Sequence, residues 1–304
     1  WQDIGFWSRQ WRFEPSSPNR PAATRFSLGG PLPQRTEPFD VNRHSHGRRM
    51  NAIVLAAGKG SRMGSPLPKP LQPVNGRPMV SYVVDAIAGL GVDRMIVVVG
   101  HQGSLVRDTL RRVFSGDKSL EFVEQKTQNG TAEAVRIALS AFDRDEFEAG
   151  DGNIMVLPAD MPLLTTATLT HLREHHFNSG AAATLLTAQL TDASGYGRIV
   201  RDQTGQVDRV VEHADASREE LNISEINTSV YCFKSKMLLT ALEQVHNENS
   251  QNEYYLTDVV ELLSSKGNKV RSVTVNHPDE ARGVNDSRQL AECESLLMDR
   301  SNAK

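Results

Sequence analysis

The sequence predicts an α/β fold: a Rossmann-like, mostly parallel sheet with helices on both faces, followed by a smaller mixed β part. Three observations lead to this prediction. Continuous apolar runs alternate with helical apolar patterns from residue 50 to about residue 180, as is typical of right-handed βαβ units. Glycine-rich or polar segments follow those runs, where parallel sheets bind ligands. Shorter strands and a hairpin signal follow in the second half.

In the first half, runs of apolar and β-branched residues indicate buried strands, and apolar residues that recur every three or four positions indicate helices. The expected strands are 52–55, 95–99, 120–123 and 154–157, and the expected helices are 78–91, 105–114 and 132–142. A further helix is expected around residues 171–175.

In the second half, the tetrapeptide Gln203–Gln206 between two apolar runs is a hairpin signal. The expected strands are 183–190, 197–200, 207–211, 226–233 and 270–275, and the expected helices are 237–245, 256–263 and 289–298.

Residues 1–49 differ from the rest of the chain. They are rich in Pro, Arg and Ser without any period, and they hold eight Arg and four acidic residues, which gives 8 − 4 = +4. The first residue is Trp, and Met50 directly precedes the first strand. We expect a disordered or non-native extension. The alternative is a basic tail that binds an acidic partner.

The bulk composition argues against several classes of protein. A net charge of -3 disfavours a nucleic-acid partner held by electrostatics. No apolar run approaches the length of a membrane span. Cys232 and Cys293 have no ligand or redox spacing, which favours a reducing, cytoplasmic location. No protein partner is evident.

The run LAAGKGSRMG at residues 55–64, followed by PKP at 68–70, carries the most specific chemistry. Glycines let the backbone approach a phosphate closely, and Arg62 and Lys69 add two cations. The glycine spacing fits neither the dinucleotide fingerprint nor a Walker A loop. An ordinary strand-to-helix turn is the alternative to our interpretation, which is a polyphosphate-binding loop.

Asp160 and Asn285 are candidate metal ligands. Asp160 follows the strand 154–157, and Asn285 could supply a second oxygen. One carboxylate and one amide suit Mg²⁺, which keeps water molecules and uses phosphate oxygens of its substrate. For both residues the alternative is a helix cap. The zinc-like pattern HLREH at 171–175 has no apparent third ligand, and we interpret it as a chance match to the motif and not as a zinc site.

Other polar segments lie at predicted strand ends. Gln125 opens the segment 125–131 and offers the donor and the acceptor that a pyrimidine edge needs. The segments 195–198, 211–213 and 225–228 offer the acceptors and amides that sugar hydroxyls need. Each of them is also compatible with turn chemistry or a solvated face.

Together these motifs resemble the sugar-nucleotide pyrophosphorylases. Within that family they are most similar to the uridylyltransferase domain of the bifunctional enzymes that make UDP-N-acetylglucosamine. The resemblance runs from about Met50 to about Met298. It rests on the order and spacing of LAAGKGSRMGSPLPKPL, EQKTQNGTAEAV, PAD, GYGRI, VVEHADA, EINTSVYCF, NEYYLTDVV and GVNDSRQL.

The resemblance implies the nucleotide-diphospho-sugar transferase fold and a Mg²⁺-dependent transfer of UMP from UTP to N-acetylglucosamine 1-phosphate. Within a domain of residues 50–304, it implies a nucleotide-binding half (50–180), a sugar-binding half (181–285) and a closing helix (286–300). For the nucleotide, it implies that the backbone contacts come from Leu55, Ala56, Ala57 and Gly58, the phosphate contacts from Arg62 and Lys69, and the uracil contacts from Gln125, Gly130 and Thr131. It implies that Mg²⁺ is bound by Asp160 and Asn285. It implies that the sugar is bound by Gly197, Glu212 and Asn227.

The chain departs from the family pattern at three positions. Glu133 stands where a His is frequent, Ala159 where a Gly usually precedes the metal-binding Asp, and Asn129 where a Leu is common before Gly130. We expect no left-handed β-helix acetyltransferase domain, and therefore neither acetyl transfer nor β-helix trimers. The alternatives are another sugar 1-phosphate, another nucleotide, or a catalytically silent sugar-nucleotide-binding regulator.

Overall fold

The structure is a computed structural model that describes residues 49–117, 119–143 and 152–302. Its strands are β1 (Met50–Ala56), β2 (Pro73–Val74), β3 (Arg77–Pro78), β4 (Met95–Val99), β5 (Leu120–Glu124), β6 (Asn153–Pro158), β7 (Ala183–Gln189), β8 (Arg198–Arg201), β9 (Val207–Val211), β10 (Glu225–Lys234) and β11 (Val270–Thr274). Its α-helices are α1 (Met79–Ala88), α2 (Gly103–Val113), α3 (Thr131–Leu139), α4 (Thr166–Ser179), α5 (Ser235–Leu242), α6 (Asp258–Ser264) and α7 (Ser287–Asn302).

The predicted fold class is confirmed. The main path of the large sheet has the order β11-β7-β10-β6-β1-β4-β5, and the β8–β9 hairpin is attached to β10. All neighbours on this path are parallel except at β10, which runs antiparallel to β6 and to β7. Strands from both sides of residue 180 pair in this one sheet. The division into two functional halves stays a prediction.

The first strand shows why the apolar runs are continuous. Ala52 and Val54 pack into the core on one face of the sheet, and Ile53 between them packs into the core on the other face. All three are fully buried. Helices cover both faces, so every residue of such a strand gains from leaving water, by roughly 1.5–3 kcal/mol for each large apolar side chain.

The predicted elements of the large sheet and its helices are present, with bounds shifted by a few residues. The β2–β3 ribbon was not predicted. Its turn residues, Asn75 and Gly76, both have positive φ, at 47° and 76°, and Asn-Gly is the strongest short hairpin signal. Two-residue strands that contain prolines hid this signal. Helix α6 begins at Asp258 rather than at 256.

The prediction for residues 1–49 lies outside the described residues, apart from Arg49. Within the described part of the chain, no helix is both long enough and apolar enough to cross a membrane. Cys232 and Cys293 are buried, and neither forms a disulfide bond. The cytoplasmic location stays a prediction.

Candidate active site

The candidate site lies at the carboxyl edge of the parallel strands, where neighbouring chain segments are joined by backbone hydrogen bonds. The Ala159 N–H donates to the Leu55 carbonyl at 3.0 Å, which sets the end of β6 beside the end of β1. The Gln125 N–H donates to the Val99 carbonyl at 2.8 Å, which sets the end of β5 beside the end of β4. The glycine-rich loop, Gln125 and Asp160 therefore share one edge, as the parallel topology predicted.

The glycine-rich loop packs closely against the Lys69 stem. Gly60 has a φ of 64°, and a Cβ placed on it would stand 2.5 Å from the Lys69 Cβ. No side chain fits at that distance. Gly60 therefore brings the loop and the lysine together, while Ala56 and Ala57 are buried behind it and Gly58 is exposed.

Four polar side chains converge beside this loop. Lys69 Nζ donates to the Asp160 carboxylate and, at 2.8 Å, to Asn285 Oδ1. Arg62 Nη2 donates to the same Asn285 oxygen at 3.1 Å. The side chains of Lys69 and Asp160 are 16% and 22% exposed, so solvent and ligands can reach the pair.

The segment that carries Asn285 is held against β6. The Val284 N–H donates to the Asp160 carbonyl at 2.9 Å, and the Asn285 N–H donates to Gln289 Oε1 at 2.6 Å. Gly283 borders both side chains: a Cβ on it would be in van der Waals contact with them, 3.8 Å from Asp160 Oδ1 and 4.0 Å from Asn285 Nδ2. Two side chains more than a hundred residues apart are thus fixed toward one point.

The helix-cap alternatives do not describe these two side chains. Asp286, not Asn285, caps α7, because its Oδ1 accepts from the Gln289 N–H at 2.8 Å. Helix α4 follows Asp160, but its cap is Thr165, whose side chain accepts from the Thr168 N–H. Asp160 and Asn285 instead direct oxygens at one cation, the Lys69 ammonium. A carboxylate and an amide oxygen that meet at one positive charge are a suitable donor pair for Mg²⁺.

The segment 125–131 forms a compact loop in front of α3. Gln125 is 3% exposed, and its Nε2 donates to the Gly130 carbonyl at 3.1 Å and to Glu133 Oε2 at 2.9 Å. Thr131 Oγ1 accepts from the Leu256 N–H at 2.9 Å. The structure thus brings Gln125, Gly130 and Thr131 together, with Thr131 also tied to a segment of the second half.

Gly130 is required for this tie. Its φ is 114°, and a Cβ on it would stand 2.4 Å from the carbonyl oxygen of Tyr254. On either side of it, the Ala132 N–H donates to the Tyr254 carbonyl at 2.9 Å and the Tyr254 N–H donates to the Asn129 carbonyl at 2.8 Å. The loop and the Tyr254 backbone are therefore in direct contact.

Gly130→Ala should cost stability by about 1–3 kcal/mol from backbone strain, plus a further loss from the collision with Tyr254. Thermal unfolding measures the total loss of stability, and the nucleotide KM measures the effect on the loop. Gly116→Ala is the matched control, because Gly116 has a φ of 93° with no atom near its Cβ position. Equal losses in the two variants would show that the contact with Tyr254 does not matter.

The predicted sugar residues also meet in space. The Asn227 N–H donates to the Gly197 carbonyl at 2.9 Å, and Glu212 Oε2 lies 3.4 Å from the position of a Cβ on Gly197. Asn227 is buried, and its Nδ2 donates to the Tyr231 hydroxyl at 2.6 Å. β10 runs antiparallel to its neighbours, so its beginning, with Asn227, is the end that reaches the site edge.

Two residues of this site, Thr257 and Tyr254, were not singled out from the sequence, and Tyr196 was considered only as part of the segment 195–198. Thr257 donates its hydroxyl to Glu212 Oε1 at 3.0 Å, and Tyr254 contacts the loop before α3, so the segment 254–257 joins the two predicted substrate regions. The Gly283 N–H donates to the Tyr196 hydroxyl at 3.4 Å, which links the β7–β8 connection to the segment that carries Asn285. No local sequence pattern predicts such long-range contacts. The motif NEYYLTDVV was a weak signal for the first two.

Two acidic residues near the predicted sugar-binding residues, Glu212 and Asp258, have raised pKa values. Burial is the largest cause for Glu212, where the Thr257 hydrogen bond acts in the opposite direction and Asp215 adds to the rise. For Asp258, burial and then the negative charges of Glu261, Glu212 and Asp215 raise the pKa to about 6. Both carboxyl groups therefore take up a proton at a higher pH in the folded chain than they would in water.

Asp258→Asn should raise stability at neutral pH. The folded pKa of Asp258, about 6, lies above its ordinary value of 3.8, so the folded state loses stability as pH rises through that window. Above the window the variant should gain about 1 kcal/mol, after allowance for partial solvent screening and the helix dipole. Urea unfolding at pH 7.5 and pH 4 measures this gain, which should vanish at pH 4.

Asp202→Asn is the control of opposite sign. Hydrogen bonds from Thr204 and Gln206 lower the pKa of Asp202, so its carboxylate stabilises the fold at neutral pH. That variant should lose stability, and more at pH 7.5 than at pH 3. A gain for Asp258→Asn that is independent of pH would contradict the assigned cause.

The zinc-like pattern lies on α4. Within the described residues, no group of three or more His, Cys, Asp or Glu side chains is arranged to hold a metal ion. The neighbouring His176 is buried, with its ring nitrogens beside Thr184 Oγ1 at 2.9 Å and Asn153 Oδ1 at 3.1 Å. Burial lowers its pKa to about 4, so it stays neutral as part of the core.

Comparison with known proteins gives one family and a consistent set of relatives. Residues 52–260 match the MobA-like NTP transferase domain. The chain is 44% identical over 253 residues to the bifunctional protein GlmU of Bacillus cereus (strain AH187), and equally to those of Bacillus cytotoxicus and Bacillus anthracis (strain CDC 684). These alignments cover 83% of this chain and 53% of each relative, so the chain spans about half the length of the curated relatives it matches.

A solved structure is similar in fold. The crystal structure of a UDP-glucose pyrophosphorylase complexed with UDP-glucose superposes with a TM-score of 0.66 at 15% sequence identity. The match covers 83% of this chain and 99% of that one. It supports the predicted nucleotide-sugar transferase fold.

Proposed function

Because this chain belongs to the MobA-like NTP transferase domain family, we propose that it transfers UMP from UTP to N-acetylglucosamine 1-phosphate, giving UDP-N-acetylglucosamine and pyrophosphate. The comparisons support the broader class, sugar-1-phosphate nucleotidyltransferase, as the sequence predicted. The choice of these two substrates rests on the motif resemblance.

One observation carries the proposal. Asp160 and Asn285 direct oxygens at one cation, at the strand edge that also holds the glycine-rich loop. A nucleotidyl transfer needs positive charge and a metal-ligand pair at the polyphosphate. A protein that merely binds a sugar nucleotide does not require that pair, so its presence argues against a silent regulator.

The proposed chemistry is an in-line displacement. A phosphate oxygen of N-acetylglucosamine 1-phosphate attacks the α-phosphorus of UTP and forms the new P–O bond. The bond between the α-phosphorus and the bridging oxygen to the β-phosphorus breaks, and its electrons leave with pyrophosphate. No protein nucleophile is needed, because catalysis comes from positioning and charge stabilisation.

Arg62 and Lys69 would supply the fixed positive charge. Both donate to Asn285, so both are already aimed at the point where the proposed metal ligands lie. With substrates bound they would donate to phosphate oxygens, while the backbone of residues 55–58 lies against the nucleotide.

Asp160 and Asn285 would hold Mg²⁺. Their oxygens fit it, since they already share one cation, the Lys69 ammonium. When bound, Mg²⁺ would neutralise negative charge on the phosphates.

Substrate recognition is proposed for the two loops joined by segment 254–257. Gln125, Gly130 and Thr131 would read uracil. Gly197, Glu212 and Asn227 would hold the N-acetylglucosamine part, with Glu212 accepting from sugar hydroxyls. The link through Thr257 and Tyr254 would keep the two substrates in register.

Pyrophosphate release tests the proposal directly. The purified chain is given Mg²⁺ with each pairing of UTP, CTP, ATP, GTP and dTTP with N-acetylglucosamine, glucose, galactose and mannose 1-phosphates. We expect the highest kcat/KM for UTP with N-acetylglucosamine 1-phosphate. A higher value for another pair would replace the proposed substrates, and no release with any pair would favour the regulator.

A further inference from the structure

The neighbours of Gln125 fix the orientation of its side-chain amide. Its Nε2 donates to the Gly130 carbonyl at 3.1 Å and to Glu133 Oε2 at 2.9 Å. A backbone carbonyl and an ionised carboxylate can only accept. Turning the amide over would set its oxygen against two acceptors, so the polarity of the amide follows from chemistry alone.

Glu133 is itself held in place as an acceptor. It lies in the first turn of α3, where the helix terminus favours negative charge. Its carboxylate accepts from the Asn129 backbone N–H at 3.2 Å and from Asn129 Nδ2 at 2.9 Å. Together with Gln125, three N–H groups thus surround one carboxylate and keep it facing the loop.

One acceptor and one donor of this loop remain for a ligand. In the described part of the chain, no group donates to Gln125 Oε1, and this oxygen is not among the polar atoms that are both buried and unpartnered. No described group accepts from the Gly130 N–H. Uracil presents a matching donor, N3–H, beside an acceptor, O4. Cytosine presents the reverse pair, an acceptor at N3 and a donor at N4.

We infer that Glu133 is a positioning residue that sets the base preference. By engaging the amide nitrogen of Gln125, it leaves the amide oxygen for the base and so favours UTP over CTP. The inference rests on the proposed function, in which Gln125 reads the pyrimidine. It concerns a departure from the family pattern, because Glu133 stands at a position where a His is frequent.

Glu133→Gln is the deciding variant. The new amide keeps the size of the side chain but can donate to Gln125 Oε1, so that only the Gly130 carbonyl still opposes the turned-over Gln125 amide. We expect the ratio of kcat/KM for UTP over CTP to fall by roughly tenfold or more, the scale of one correct base-edge pair. The change should appear in KM, and in the binding of UMP against CMP by calorimetry. A ratio within twofold of wild type in the folded variant overturns the inference.

Two further variants separate positioning from loss of structure. Glu133→Asp keeps an acceptor-only group, so we expect it to retain the UTP preference even where its KM rises. Glu124→Gln makes the same chemical change on an exposed neighbour and should alter nothing. An equal loss of UTP and CTP use in Glu133→Gln would show a merely structural role and also overturns the inference.

A wild-type measurement covers the case in which Glu133→Gln does not fold. A crystal structure with UMP should place the Gln125 amide oxygen within hydrogen-bond distance of N3, while Gln125 Nε2 still donates to Glu133. An amide beyond that distance overturns the inference. If wild type uses another nucleotide and not UTP, the proposed function fails together with it. If wild type prefers UTP and Glu133→Gln keeps that preference, only the role of Glu133 fails.

Discussion

Asp160→Asn should lower the turnover of pyrophosphate release by roughly 10²-fold or more, the scale of losing one preorganised electrostatic contact. The change keeps the shape of the side chain and removes its charge. The carboxylate lies at a strand end beside Lys69 and is partly open to solvent, so the fold should survive. Turnover at saturating Mg²⁺ and a thermal melt measure the two effects separately.

Asp286→Asn is the matched control for this variant. Asp286 caps α7, and Asn caps a helix about as well as Asp, so its turnover should change little. Asn285→Ala should act in the same direction as Asp160→Asn. The double variant should lose less than the sum, because both side chains serve one ion. Turnover of Asp160→Asn within a few-fold of wild type would contradict the metal assignment.

Lys69→Met should also lower kcat/KM by roughly 10²-fold or more. Methionine retains an apolar stem against Gly60 but removes the ammonium that donates to Asp160 and Asn285. A metal and this ammonium would share the same two oxygens. Without substrates, Lys69→Met should therefore bind Mn²⁺, used as a paramagnetic probe, at least as tightly as wild type does, although its activity falls.

Lys236→Met removes a charge from an exposed position on α5 and should leave both measurements unchanged. Weaker Mn²⁺ binding by Lys69→Met, with activity near that of wild type, would contradict the proposed role. It would show that Lys69 supports the shape of the pair and does not stabilise phosphate charge.

The sequence was sufficient to predict which polar segments meet at the strand ends. Asp160 and the glycine-rich loop each follow a buried apolar run, and parallel strands bring such ends to one edge. Their meeting with Lys69 therefore follows from local patterns plus topology. Asn285 is different: the sequence offered it as a second oxygen ligand, but its position beside Asp160 depends on how segment 283–285 packs against the end of β6, which no local pattern specifies.

The contacts across the loops were not predictable in the same way. Thr257 with Glu212 and Gly130 with Tyr254 join segments far apart in sequence, and their hydrogen bonds leave no period or motif behind. Glu133 was noticed only as a departure from the family pattern. Its meaning depends on which atom of Gln125 it contacts, which no sequence pattern specifies. The position of the antiparallel strand β10 beside β6 was not predictable either, because local β-propensity does not determine strand order.

Isotope transfer is the most direct test of the proposed reaction. N-acetylglucosamine 1-phosphate labelled with ¹⁸O in its phosphate is incubated with unlabelled UTP, Mg²⁺ and the purified chain, and the products are analysed by mass spectrometry. Attack of the sugar phosphate on the α-phosphorus of UTP predicts that all label is retained in UDP-N-acetylglucosamine, with one unlabelled pyrophosphate for each product molecule. Label in pyrophosphate, or no sugar nucleotide formed, would contradict uridylyl transfer at this site.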